Sequence, residues 1–450
     1  MGAPNVVVIG GGLAGIQAAL SAADRGSVVT LIERRAQLGG LTWSFEHNGL
    51  WFDNGQHVFL RCCTAYQDFV ARIGGRDDLH IQDRLRIPVL RPGRRTYSIG
   101  RAPLPAPLHL GPSLATYGHL AIRDRVRAMR AALALRSVDP EDPTNDRVTF
   151  GEWLRAHGQS TAAIEALWDL IARPTTNLPC DRVALGLAAF VFQTGLLERA
   201  DASDIGLAKV PLRALHNDRV VTALDKAGVE VQLQRRVSAV EPGPVVVTDS
   251  GRVEADAVIV ALDHIAAAQV LPSGTLDGQE RVARMAMSPI VNVHLVFDRQ
   301  VTDMPLAAAI GSPVEYVFDR TEASGLVRGQ YLVVSLSAAD AYLGSAPREL
   351  IALISSALGA LLPPMSGAQL VDGLVTRERT ATFSAAPGTA ELRSAPATNL
   401  DGVFVAGAWT ATGWPATMEG AVRSGTAAVE AVFAGLSAGA RRAQAEEVVL

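Results

Sequence analysis

Near the start of the chain, a few residues have types and spacings suited to holding a phosphate. Val6-Val-Val-Ile-Gly10-Gly-Gly12-Leu-Ala-Gly15 joins an apolar run to a glycine turn, and Glu33 closes the next apolar run, Leu31-Ile-Glu33. Gly10 permits a tight turn, Gly12 lets the backbone approach a diphosphate, and Gly15 lets the following helix lie close on the strand. The start of that helix, at Leu13 and Ala14, offers free N–H groups to the phosphates. The pattern predicts a helix from Ile16 to Arg25, stopped at Gly26, and a strand from Ser27 to Ile32. Glu33 then stands where it can hydrogen-bond a ribose hydroxyl. Strand, turn, helix, strand and acid in that order point to a bound dinucleotide.

The residues just after Glu33 separate nicotinamide from flavin. Arg34 and Arg35 lead through Leu38 into Gly39-Gly40-Leu41-Thr42. A second glycine pair at this distance resembles the early part of the two-dinucleotide-binding flavoproteins. The resemblance implies FAD, with Gly39 and Gly40 under the flavin end of the cofactor and Arg35 near the diphosphate.

Composition narrows the class. With 450 residues there is enough chain for two domains with proper cores. A net charge of −4 gives no electrostatic case for a nucleic-acid partner. Lys209 and Lys226 are the only lysines, so the basic charge is nearly all arginine. The first strand begins within five residues of Met1, and no apolar run is long enough to span a bilayer, so the expected location is the cytoplasm. Cys62, Cys63 and Cys180 form no CxxC and read as structural; no metal site is expected.

Along the chain, one domain interrupts another. The expected fold is α/β: a Rossmann-like dinucleotide-binding domain from 1–75, 206–265 and 386–440, an interleaved α+β substrate domain from 76–205 and 266–385, and a tail at 441–450. Helices are expected at His119 to Leu135, Thr149 to His157, Ala162 to Ala172, Arg182 to Thr194, Pro347 to Leu362 and Met418 to Ala434. Strands are expected at Val229 to Leu233, Ala255 to Ala261, Pro289 to Phe297, Val314 to Phe318, Tyr331 to Ser337 and Gly402 to Gly407.

A second motif lies near the end. Gly407-Ala-Trp409-Thr-Ala-Thr-Gly413-Trp-Pro415-Ala416-Thr417-Met418-Glu419 sets a glycine turn before a helix start, an arrangement able to hold a flavin's ribityl chain and pyrimidine edge. With the opening motif it resembles the closing flavin motif of the amine oxidase and phytoene desaturase superfamily. Asp53-Asn-Gly-Gln56-His57, Pro174, Asn177-Leu-Pro179 and Val210-Pro-Leu212 narrow the resemblance to the hydroxysqualene dehydroxylases, or squalene-associated FAD-dependent desaturases, of hopanoid synthesis. The matches cover the first 65 residues, a patch from about 170 to 240, and the last 50. Relatives usually carry an acid directly after the glycine matching Gly407; here it is Ala408, a lost acceptor worth about 1 to 2 kcal/mol of flavin affinity.

The resemblance implies reductive removal of an allylic hydroxyl from a C30 isoprenoid lipid, with squalene-pathway enzymes as partners. That reaction needs the leaving hydroxyl to be protonated or hydrogen-bonded, tolerance of an allylic cation, and hydride from reduced flavin. Gln56 and His57 are the candidate catalytic residues. His57 is either a proton donor with a pKa near neutrality or a structural hydrogen-bonder holding its loop. The resemblance also puts Val237 at the cofactor. Trp409 and Trp414 either wall the flavin pocket or simply pack. One GxGxxG unit leaves no dedicated nicotinamide domain, so NADPH or another reductant would act transiently.

Leu104, Leu108, Leu110, Leu114 and Leu120, followed by Arg123, Arg125, Arg127 and Arg130, form either a membrane-surface entry, peripheral on the inner face of the cell membrane, or a packed crossover with a solvated basic helix. Three rivals stand beside the main reading. An amine oxidase carries a lysine near the flavin from a substrate-domain strand, and Ser288 to Phe297 has none. An oxidative carotenoid desaturase shares fold and substrate class. A flavin-free lipid-binding protein is the third.

Overall fold

Val6, Val7, Val8 and Ile9 are all buried, as a strand covered on both faces requires. The computed structural model describes residues 2–447, and there Asn5–Ile9 is the middle of five parallel strands. Their order is Glu230–Gln232, Val28–Ile32, Asn5–Ile9, Ala257–Val260 and Val403–Val405. The helix Leu13–Asp24 packs against the last helix, Met418–Glu447, and Gly425 permits the close approach: a Cβ there would lie 2.3 Å from the Ala14 carbonyl oxygen.

A second, seven-stranded sheet runs in the order Leu370–Phe383, Met287–Phe297, Gln330–Ser337, Tyr316–Asp319, Leu306–Ala309, Arg86–Leu90 and Tyr97–Gly100. It is antiparallel except where Leu306–Ala309 pairs with Arg86–Leu90. Alternation along Met287–Phe297 divides its side chains. Val291, Val293, Leu295 and Phe297 share a core with Leu350, Ile354 and Leu358 of the helix Pro347–Leu361. Asn292 and His294, on the other face and equally buried, meet the hairpin Ser44–His47/Leu50–Asp53 and the loop after it. That hairpin turns on Asn48 and Gly49, both at positive φ, as a two-residue turn demands. Helices between residues 122 and 197 form a further layer around Phe150, Trp168 and Phe192. The architecture is α/β, a parallel nucleotide-type sheet joined to an α+β unit.

Several expectations need correction. The helix expected from His119 starts at Ile122, because Ala121 is still extended. The one expected from Arg182 starts at Leu185, because Ala184 is extended and bridges Thr149. The tail expected from 441 is helix as far as Glu447; residues 448–450 lie outside the described residues. Leu370–Phe383, an edge strand interrupted by Gly373 and largely polar, and the pair Arg86–Leu90/Tyr97–Gly100 are additions to the expected strands. All three cysteines are free.

Candidate functional site

Gly10 has φ 109°, and a Cβ on it would sit 2.5 Å from the Ala261 carbonyl oxygen; on Gly15 it would sit 1.9 Å from the Gly10 carbonyl oxygen. Both positions therefore require glycine. At Gly12 the nearest heavy atom to such a Cβ is Gly40 Cα, at 3.8 Å, so the backbone there borders open space. Gly12 is also the N-cap of Leu13–Asp24, no side chain caps that helix, its first turn holds no acid, and Leu13 and Ala14 are buried. A buried, uncapped helix start facing a gap fits the diphosphate of a dinucleotide.

The second glycine pair is locked to the first. Gly39 N–H donates to Gly11 O (2.8 Å), Arg35 Nη1 to Gly40 O (3.0 Å) and Thr42 Oγ1 to Gly39 O (2.7 Å). Arg34 and Leu41 are exposed. The Glu33 carboxylate accepts from Gly11 N–H and Arg35 N–H, each at 2.7 Å, which leaves further lone pairs for a ribose. Val237 lies two residues after Arg235, whose N–H donates to Glu33 O.

At the other motif, Gly407 has φ 141° and donates its N–H to Ser424 Oγ (2.9 Å), and Gly413 has φ 74°. Trp409 is buried, its Nε1 donating to Leu262 O (2.9 Å), so it packs rather than presenting a face. Trp414 rests edge-on against Phe190 with the Arg423 guanidinium over it. Thr417 Oγ1 accepts from Gly420 N–H at the start of the last helix, beside Pro415, half-buried Ala416 and buried Met418. Glu419 is committed elsewhere: it accepts from Ala65 N–H, Tyr66 N–H and Arg423, capping the helix Thr64–Arg72.

Arg393, unmarked by any motif, organises this loop. Its guanidinium donates to the carbonyl oxygens of Ala408 (3.2 Å), Thr410 (2.7 Å) and Trp414 (2.7 Å) and lies over Phe383. Burial brings its pKa down to about 10, with Asp146 opposing, so it stays charged at neutral pH.

Beside the second glycine turn stands a polar cluster built on the Asp53–His57 loop. Asp53 is held by Ser44 Oγ (2.7 Å), Leu212 N–H (2.9 Å) and buried Arg320 (3.1 Å). Asn54 bridges to the second glycine turn through Leu41 O (2.9 Å) and accepts at its carbonyl from Thr376 Oγ1 (2.8 Å). His294 joins Thr376 Oγ1 (3.0 Å) to Tyr331 OH (2.6 Å). Gln56 N–H reaches Asn292 Oδ1 (3.4 Å), while Gln56 Oε1 is buried without a partner.

At His57 the direction of the pKa shift runs against a proton donor. Burial pushes it below the usual imidazole value, against the Gly55 carbonyl and Asp53, and its Nδ1 is bonded to Gly55 O (2.9 Å). At neutral pH it is an uncharged ring with Nε2 as an acceptor. A carboxyl the sequence did not mark, Glu378, lies on the same side of its strand as Thr376 and has a raised pKa. Burial raises it, opposed by Arg35 and by a hydrogen bond with Asn54. Among the described residues no cluster of histidine, cysteine or acid could hold a metal, and no helix is long and apolar enough to cross a membrane.

The chain is similar to several known proteins. Hydroxysqualene dehydroxylases of Rhodopseudomonas palustris and Sinorhizobium fredii are 29% and 27% identical, over 96% and 95% of this chain and 98% and 97% of theirs. Zeta-carotene desaturase of Solanum lycopersicum is 24% identical over 94% of this chain and 79% of its own. Cyclohexylamine oxidase from Brevibacterium oxydans shares the fold, with TM-score 0.74, 18% identity, and 97% and 100% of the two chains covered. Residues 13–433 match the flavin containing amine oxidoreductase family, and the chain belongs to it.

Proposed function

We propose that this FAD-dependent oxidoreductase converts hydroxysqualene to squalene, replacing an allylic hydroxyl by hydrogen. The observation that carries the reading is likeness to hydroxysqualene dehydroxylases across nearly the full length of both chains. The C–O bond breaks, the hydroxyl takes a proton and leaves as water, and a hydride completes the new C–H bond. When bound at these residues and reduced by NADPH or another reductant, FAD would supply that hydride.

The chain's own residues then have these tasks. Gly10, Gly12, Gly15, Glu33, Gly39, Gly40 and the loop after Gly407 hold the cofactor. Gln56 Oε1 and His57 Nε2 accept hydrogen bonds and orient the hydroxyl. Glu378, whose pKa burial raises, is the proton donor.

Purified protein given FAD, NADPH and hydroxysqualene is expected to yield squalene, identified by mass spectrometry, only when both cofactors are present. Intact hydroxysqualene beside a bound yellow flavin would overturn the reading. A second reading, oxidative desaturation of a carotene-type polyene, is favoured by the likeness to zeta-carotene desaturases. It predicts lengthened polyene absorbance without NADPH. The lack of lysine on Met287–Phe297 speaks against amine oxidation.

A further inference from the structure

The helix Ile122–Leu135 is apolar on two opposite sides. Ala128, Ala131 and Leu135 face the core and are buried. Ile122, Val126, Met129 and Leu133, spaced by four, three and four residues, form one line along the outer side and are 75%, 39%, 36% and 53% exposed. The line is about 16 Å long. Scattered exposed apolar residues are ordinary, but packing does not call for a continuous row opposite the buried face.

Charge borders the row. By helical spacing, exposed Arg123, Arg127 and Arg130 fall on one flank and exposed Arg136 on the other, and among the described residues none of the four pairs with a carboxylate. Arg125 is used differently, folding back onto the Ala115 and Leu120 carbonyls. The helix's one acid, Asp124, is buried. On a chain of net charge −4 this face is a local reversal of sign.

We propose that this helix seats the enzyme on an anionic lipid bilayer. The apolar row enters the acyl boundary and the flanking arginines meet headgroup phosphates. The surface differs from the leucine set read from sequence. Leu104 and Leu108 are exposed, but Leu110 and Leu114 are half-buried and Leu120 is buried. The proposal rests on the helix face and not on the identity of the substrate, so vesicle binding and squalene formation can fail separately.

Full-length, FAD-loaded protein is sedimented with vesicles of phosphatidylglycerol and phosphatidylcholine, or of phosphatidylcholine alone. Partitioning onto the anionic vesicles is expected to be at least tenfold stronger. Ile122→Glu with Leu133→Glu should reduce it tenfold or more, and Arg123→Gln, Arg127→Gln and Arg130→Gln together should erase the anionic preference. Val327→Glu, at an isolated valine 99% exposed, should change nothing. Flavin absorbance and melting temperature check that each variant folds. Failure of the wild type to sediment, or equal sedimentation of the Ile122/Leu133 variant, overturns the proposal. So does a wild-type dimer without vesicle binding that this variant splits, which would assign the face to a second copy of the chain.

Discussion

Ala14 and Gly425 touch across the first and last helices with no room for a side chain: a Cβ on Gly425 would also stand 3.0 Å from Ala18 N. Gly425→Val must push the two helices apart, and both start at the proposed cofactor site. The expected cost is about 1 to 3 kcal/mol of stability together with weaker FAD retention. Melting temperature with and without added FAD checks this, and an unchanged pair of values would refute the close packing.

Glu33 accepts two backbone N–H groups through two oxygens. Glu33→Gln keeps its shape but turns one oxygen into a donor facing a donor. FAD affinity should fall roughly 10- to 100-fold, or about 1.4 to 2.8 kcal/mol. Fluorescence titration of the apoprotein measures it, and the expectation fails if the dissociation constant stays within a factor of two.

Glu378 should set the basic limb of the rate profile. As proton donor it must be protonated, so kcat should decline as pH rises through its elevated pKa, while Glu378→Gln should lower kcat about 100-fold or more and remove that limb. A variant with full kcat, or one retaining the limb, would return Glu378 to a structural role.

His216 and His294 are buried and neutral, with burial bringing both to about 3 from an unfolded value near 6.5. Groups depressed in this way contribute their stability in full above about pH 6.5 and lose it as pH falls toward 3. Each should cost about 1.4 kcal/mol per pH unit in that interval. Urea midpoints measured between pH 6.5 and 5, before most carboxylates titrate, should fall steeply for the wild type and less steeply for His294→Gln. Parallel curves would count against a neutral buried His294.

The glycine turns proposed as the cofactor cradle were legible because such a role is carried by backbone: glycines at Gly10, Gly15, Gly39 and Gly407 leave fixed spacings in the sequence. The polar centre was legible only in part. The Asp53–His57 loop stood out, but its partners Asn292, His294, Thr376 and Glu378 lie more than 230 residues away, on strands whose pairing no local pattern encodes. Leu370–Phe383 hid because an edge strand bearing a glycine and four charged residues has no apolar alternation to detect. Arg393 hid for another reason. It serves carbonyl oxygens, which every residue has, so neither a partner's type nor a spacing announces it.

The division along Met287–Phe297 has a consequence for changing this enzyme. Odd-numbered positions from Val291 to Phe297 pack against the helix Pro347–Leu361, while Asn292 and His294 meet the polar centre. The polar centre and the helix-packed core are thus written on alternate letters of one strand. Varying 292 and 294 alters the polar centre while leaving the contacts with that helix in place, whereas a shift of one residue strikes the helix-packed core.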